Sequence, residues 1–407
     1  MAEFNLLKTL DHPHILRVYE AFEDSTYIYI VTELLSGGEL FDMLLKEGQF
    51  NESKSAEIIK QTLEALSYCH ANNLAHRDLK PQNLVIESKE GHIFIKLIDF
   101  GLSKFFSRDI YFKEALGTPL FMAPEILKQL PYDLKVDIWS VGIILFMMLT
   151  GKLPFPTKNA KELFSAICNA TVSESSFKDY AHLSKGAIDF MVHCLCSNPN
   201  DRWPADKLLH HPWIEAKERN DIPPEAIEEI QGNLKKFNGK FKLEQAVYTY
   251  LAMNTSTIED EKYLRELFLK MDTSKDGKIS KTEFIEGMSK CDKNIYTQRE
   301  LEDIFAEIDT DKSGLIDYTE FLKAALNKTK LLSENNLHAA FKFFDLDGNG
   351  VITKDELEEV FTKGNANLSD KLCDAMIGEI DKNKDKAISF EEFKQMMQNG
   401  VAPEKAV

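Results

Sequence analysis

Asp78, Lys80 and Asn83 fall within six positions in the stretch Ala75-His76-Arg77-Asp78-Leu79-Lys80-Pro81-Gln82-Asn83. Sixteen residues after Asn83, Asp99-Phe100-Gly101 follows His92-Ile93-Phe94-Ile95-Lys96-Leu97-Ile98, which reads as a β-strand. These residue types make up the parts list for phosphoryl transfer. A carboxylate orients an acceptor hydroxyl, a cation meets a terminal phosphate, and two oxygen ligands hold Mg²⁺. Such a reaction asks a protein for position and charge more than for covalent chemistry.

Further signatures follow in a fixed order. They are Gly117-Thr118-Pro119, Ala123-Pro124-Glu125, Asp137-Ile138-Trp139-Ser140-Val141-Gly142 and Asn200-Asp201-Arg202-Trp203. With His76-Arg77-Asp78, Asn83 and Asp99-Phe100-Gly101 they resemble a eukaryotic protein kinase. Lys80 and Thr118 match the serine/threonine branch. The resemblance implies that Asp78 orients the hydroxyl and takes its proton, supported by Lys80 and Thr118. Asn83 and Asp99 are the implied Mg²⁺ ligands, Asp137 lies on the helix supporting the loop, and Glu125 pairs with Arg202. Leu34 to Asp42 resembles the hinge between lobes, with Thr32 as gatekeeper and the backbones of Glu33 and Leu35 facing adenine. Glu39, Val85 and Ile98 complete the expected ATP-binding set; Glu39 has an alternative as a helix-start acid. Glu114 stands three residues before Gly117, where many kinases carry a phosphothreonine, so a fixed acid there can pair with Arg77. Gln82 departs from the glutamate the family usually has facing a basic substrate residue.

Glu3 to Leu10 has helical spacing and stops at Asp11-His12-Pro13. It resembles the small-lobe helix, with Glu3 as its ion-pairing acid. No glycine-rich loop and no Val-Ala-Ile-Lys lysine precede it in these 407 residues, so an N-terminally truncated kinase domain over 1–214 is expected. Two strand-like runs, Leu16 to Phe22 and Tyr27 to Glu33, flank a turn at Glu23-Asp24-Ser25.

Composition sets the outer limits. Hydrophobic content of 43% and charged content of 28% are those of globular protein, and the length allows two or three domains. A net charge of -17 argues against nucleic acid and suits a chain that gathers carboxylates for cations. Six scattered cysteines do not make a disulfide framework and point to a reducing, cytoplasmic setting. The longest apolar run, Val141 to Leu149, is a buried helix rather than a membrane span.

The final 150 residues repeat. Asp272, Asp309, Asp345 and Asp381 recur at spacings of 37, 36 and 36, each opening a twelve-residue loop. Loop one offers Asp272, Ser274, Asp276, Ser280 and Glu283, and loop two Asp309, Asp311, Ser313, Asp317 and Glu320. Loop three offers Asp345, Asp347, Asn349, Thr353 and Glu356, and loop four Asp381, Asn383, Asp385, Ser389 and Glu392. Lys278, Leu315, Val351 and Ala387 at position 7 contribute only carbonyls. This pattern wraps six to eight oxygens around Ca²⁺ with a bidentate glutamate at position 12. Gly277, Gly314 and Gly350 make the sharp turn at position 6; loop four has Lys386 there, which predicts a weaker fourth site. The loops match the EF-hand pattern, in pairs over 259–329 and 330–400.

Between the two regions, 215–258 is a junction. Pro223-Pro224 opens a helix-like stretch with Ile230, Leu234, Phe237 and Phe241 on one stripe and Lys235, Lys236, Lys240 and Lys242 beside it. That is the kind of target a calmodulin-like groove takes. In this order the three parts resemble the calcium-dependent protein kinases of plants, algae and protists. The resemblance implies an α+β kinase fold, a mostly helical C-lobe with a remnant of the β-rich N-lobe, followed by an all-α calmodulin-like domain. It also implies Mg-ATP, up to four Ca²⁺, protein serine/threonine substrates, and a junction helix bound by the EF-hands. Two alternatives stay open from the residues themselves. One is a catalytically impaired calcium sensor or scaffold, and the other a Ca²⁺ buffer.

Overall fold

The computed structural model describes residues 6–89, 92–106, 112, 114, 116–155, 159–216, 222–237, 242–255, 258–291, 296–363 and 370–398. Two units are built mainly on Met1–Asn220 and on Asp221–Thr273 with Lys278–Val407.

In the first unit, the helix Val136–Thr150 is apolar on every side and buried along its length except at Met147. A helix of that kind belongs inside a helical layer. It packs against Glu52–Ala71 and Lys185–Cys194. Gly142 lets it approach closely, since a Cβ there would lie 2.7 Å from Leu195 Cγ and 2.8 Å from Cys194 Cβ. The helix Glu52–Ala71 is capped by Asn51, whose side chain accepts the Lys54 amide at 2.8 Å.

The strands are short antiparallel pairs. Val18–Glu23 pairs with Ile28–Thr32, and Leu84–Lys89 with His92–Leu97 in the register Leu84↔Leu97 and Val85↔Lys96. Leu74–Ala75 pairs with Lys104–Phe105. The candidate catalytic stretch is thus slung between two strands, from Ala75 to Leu84, over the buried helical layer. The turn before Ile28 is closed by Asp24, whose Oδ1 accepts the amides of Thr26 and Tyr27, both at 2.7 Å.

The second unit is helical, with Ile279–Ser280 paired to Leu315–Ile316 and Val351–Ile352 paired to Ile388–Ser389. These β-bridges join the four loops two by two through the apolar residue at position 8, Ile279↔Ile316 and Ile352↔Ile388. The junction contributes two helices, Pro224–Lys236 and Lys242–Asn254, rather than one. Phe237 has extended backbone at φ -65 and ψ 128, so the first helix stops there and the single four-residue stripe is broken. Phe241, Gly239 and Lys240 lie outside the described residues. Ile230, Leu234, Phe237, Leu243, Val247, Tyr248 and Leu251 enter one core with the EF-hand helices. None of the helices among the described residues is long and apolar enough to cross a membrane.

Candidate catalytic and calcium sites

The catalytic stretch is anchored from below by Asp137, in the first turn of Val136–Thr150 and 1% exposed. Its Oδ1 accepts the Arg77 amide at 2.8 Å, its Oδ2 the His76 amide at 2.9 Å, and His70 Nε2 lies 2.9 Å from Oδ2. Burial alone would raise this carboxyl. The His70 hydrogen bond, the nearby His76 charge and the Arg77 amide outweigh it and hold Asp137 below the usual carboxylate value. The anchor makes an unfavourable backbone possible, for Arg77 sits at φ 67.

Asp78, 9% exposed, is gripped on both oxygens. Oδ1 accepts Thr118 N at 2.9 Å and Thr118 Oγ1 at 2.8 Å, while Oδ2 pairs with Lys80 Nζ. Gly117 brings Thr118 there: its φ is 115, and a Cβ would stand 2.7 Å from the Arg77 carbonyl oxygen. Asn83 Nδ2 donates to the Asp78 carbonyl at 2.9 Å, which leaves the amide oxygen to face a cation. Asp99 follows its strand at φ 64 and is exposed; Oδ1 accepts the Gly101 amide at 3.3 Å. Phe100 is buried edge-on to His76, ring centroids 4.9 Å apart, and burial lowers the His76 pKa. The donor set is one that Mg²⁺ with ATP would fit.

The activation segment is tied to Arg77. Glu114 Oε2 lies 3.2 Å from Arg77 Nη1 and its Oε1 2.6 Å from Lys104 Nζ. Tyr132 Oη donates to the Glu114 carbonyl at 2.7 Å. Lys104 holds the Glu114 carboxyl down to about 2. Ser107 and Tyr111 lie outside the described residues. Glu125 and Arg202 form a buried two-point pair at 2.7 and 3.1 Å. At the hinge, Thr32 Oγ1 donates to the Glu33 carbonyl at 3.0 Å, and Leu35 is half-buried. Glu39 bridges to Val85 and stands at the N-cap of Leu40–Glu47 without a side-chain capping bond. Ile98 donates its amide to the Asn83 carbonyl at 2.9 Å, linking the Asp99 strand to the catalytic loop. The Gln82 side-chain oxygen is buried without a hydrogen-bond partner among the described residues. Glu3 lies outside the described residues.

The calcium loops are not equal. Carboxylate oxygens of Asp309, Asp311 and Glu320 lie within 4.8 Å of one another, as do those of Asp345, Asp347 and Glu356. Such crowding of like charges suits a divalent cation. In both loops the first aspartate gathers the turn amides: Ser313 and Gly314 donate to Asp309 at 3.0 Å each, and Asn349 and Gly350 to Asp345 at 3.0 Å each. Among the described residues, loops one and four show no such three-carboxylate group. Position 3 is neutral in both, Ser274 and Asn383. In loop four Asp385 accepts from Asn383 Nδ2 at 2.8 Å and from the Ala387 amide at 3.0 Å. Lys386 takes φ 69 where the other loops have glycine at 82, 83 and 89. Glu283, Glu320, Glu356 and Glu392 all fold back over their loops, accepting from Ser280 N at 2.9 Å, Thr310 N at 2.8 Å, Thr353 N at 2.8 Å and Lys382 N at 2.9 Å respectively.

A family model described as protein kinase domain matches residues 1–214, and one described as EF-hand domain pair matches 261–326 and 334–398. Calcium-dependent protein kinase 4 of Plasmodium berghei (strain Anka) is 36% identical over 411 residues, 98% of this chain and 77% of the relative. Calcium-dependent protein kinase 26 of Arabidopsis thaliana is 37% identical over 391 residues, 96% of this chain and 79% of the relative. The chain belongs to the calcium-dependent protein kinases. Its kinase and EF-hand parts therefore share one polypeptide in the order that the family has.

Two features of this family member were not read from the sequence. His70 joins Asp137 from 67 residues earlier in the chain, and nothing local to either residue signals the meeting. The second is a polar seam along the first junction helix at Glu229, Asn233 and Lys236, spaced to share one face. Asn327 Nδ2 donates to Glu229 Oε1 at 2.8 Å, Asn233 Nδ2 to the Ala325 carbonyl at 2.9 Å, and Lys328 Nζ to the Lys236 carbonyl at 3.3 Å. Lys328 is buried over the rings of Phe237 and Tyr248, at 5.4 and 5.1 Å, and burial lowers its pKa against the pull of Glu244.

Proposed function

We propose that this calcium-dependent protein kinase transfers the ATP γ-phosphate to serine and threonine hydroxyls through Asp78, Lys80, Asn83, Asp99 and Thr118. The observation carrying this reading is the double grip on Asp78, by Thr118 on Oδ1 and Lys80 on Oδ2. Asp78 orients the acceptor hydroxyl and receives its proton. Lys80 neutralises charge on the transferred group, and Thr118 keeps the carboxylate from rotating. Asn83 and Asp99 would hold Mg²⁺, which supplies charge neutralisation of the phosphate oxygens when bound. Thr32, Glu33, Leu35, Glu39, Val85 and Ile98 line the nucleotide site, and Glu114 gives Arg77 an anion without phosphorylation.

Regulation runs through residues 215–258. Packing of both junction helices into the EF-hand core supports a hold on this segment by the Ca²⁺-loaded hands, in place of a hold on the kinase. Loops two and three, each with three carboxylates converging within 4.8 Å, bind Ca²⁺ most strongly, and loop four least. A radiolabelled ATP assay on a basic serine peptide tests the whole reading. Incorporation should rise with Ca²⁺ and vanish in Asp99→Ala. Ca²⁺ should also change protease cleavage between Gln231 and Met253; an unchanged digest with chelator would sink the capture mechanism.

A further inference from the structure

Lys96 is 8% exposed, and a lysine is seldom buried without a partner. Its Nζ stands 2.8 Å from Glu33 Oε1 and donates to the Ile15 carbonyl at 3.4 Å. The same Glu33 oxygen accepts the Arg17 amide at 2.7 Å, and the Glu33 amide donates to the Arg17 carbonyl at 3.1 Å. Lys96 lies directly opposite Val85 in the antiparallel ladder, so the two share a face. It also stands three residues before Asp99 on the strand that leads there. One partly buried ion pair therefore ties Glu33, just before the hinge, to the strand leading to the Asp99-Phe100-Gly101 triplet.

The hinge reads a base with a carbonyl at Glu33 and an amide at Leu35. Adenine offers a donor and an acceptor to that pair, and guanine offers the reverse at the corresponding edge. Discrimination of this kind depends on polar groups held in place, because a wrong base leaves them unpaired. We propose that Glu33 and Lys96 form a positioning pair that fixes the hinge for adenine, setting nucleotide selectivity rather than turnover. The inference rests on the assignment of Glu33 and Leu35 as the adenine contacts.

Equilibrium binding of fluorescent ATP and GTP analogues to the full chain with Mg²⁺ tests it, alongside KM and kcat. Lys96→Met should weaken the ATP analogue about tenfold, leave the GTP analogue nearly unmoved, and raise KM for ATP with kcat little changed. Lys96→Arg should restore most of the selectivity. Glu33→Gln, which keeps an acceptor for the Arg17 amide, should behave like Lys96→Met and serves if the latter folds poorly. Equal weakening of both analogues, or no rescue by arginine, overturns the proposal. Leu35→Pro removes the hinge amide and separates the two failures. If it leaves ATP affinity intact, the hinge assignment falls; if it weakens ATP while Lys96→Met does not, only the positioning pair falls.

Discussion

Both halves of the chain concentrate carboxylates, but they treat them in opposite ways. Around the catalytic loop the buried acids are already satisfied by the protein. Asp137 is matched by two amides and His70, Asp78 by Thr118 and Lys80, and Glu125 by Arg202. In loops two and three, acids face one another within 4.8 Å. The first arrangement is prebuilt, as catalysis demands of groups that must not reorganise during reaction. The second is built around a charge that comes and goes, which makes it a sensor. Carboxylates matched by fixed partners thus mark chemistry here, and carboxylates crowded against one another mark a switch.

The most severe way to break the contrast is Asp78→Asn, which keeps the shape and removes the proposed proton acceptor. Turnover should fall on the order of a thousandfold, with the calcium titration untouched; a matching loss of calcium affinity would contradict the separation. Glu356→Gln should do the reverse. Affinity at loop three should fall on the order of a hundredfold by calorimetry, while activity at saturating Ca²⁺ stays within a few-fold of the parent.

The motif residues were legible because their chemistry dictates spacing. The oxygen spacing within each twelve-residue loop and the Asp78-to-Asn83 interval exist to place polar groups around one point, so they survive in one dimension. Contacts across the fold leave no such trace: His70 with Asp137, Glu33 with Lys96, and the Glu229, Asn233 and Lys236 seam depend on tertiary placement. The junction was half readable. Its apolar stripe was visible, but the extended Phe237 breaks it, and the core residues Val247, Tyr248 and Leu251 sit on a second helix. Loop four looked like its neighbours apart from Lys386. The fold adds that Lys386 itself holds the left-handed turn, its amide donating to Asp381 Oδ2 at 2.8 Å.

That weak loop sharpens the comparison at smaller scale. A side chain at φ 69 costs roughly 1–2 kcal/mol, so Lys386→Gly should tighten one site about tenfold in calorimetry. No change would mean that the turn is unstrained as it stands.

Glu114 provides the mildest test, because it belongs to the prebuilt half yet is nearly half exposed. Glu114→Gln should lower Ca²⁺-stimulated turnover only a few-fold. Its carboxyl is held at about 2 against an ordinary 4.5. The sign follows from that depression. The pair with Lys104 and Arg77 is fully formed above 4.5 and weakens only as pH falls through about 2. Lys104→Met should move the Glu114 midpoint back toward 4.5 in an NMR titration; an unmoved midpoint would assign the depression to the backbone amide and Arg77 instead.

The bridges Ile279↔Ile316 and Ile352↔Ile388 make each pair of loops share two residues of backbone. When an ion stiffens one loop, its neighbour is partly ordered before it has bound anything, and the second ion meets less entropic resistance than the first. Loops reading calcium independently would give a gradual response. Loops yoked in twos turn it into a threshold, so that a modest rise in calcium is ignored and a slightly larger one is acted upon.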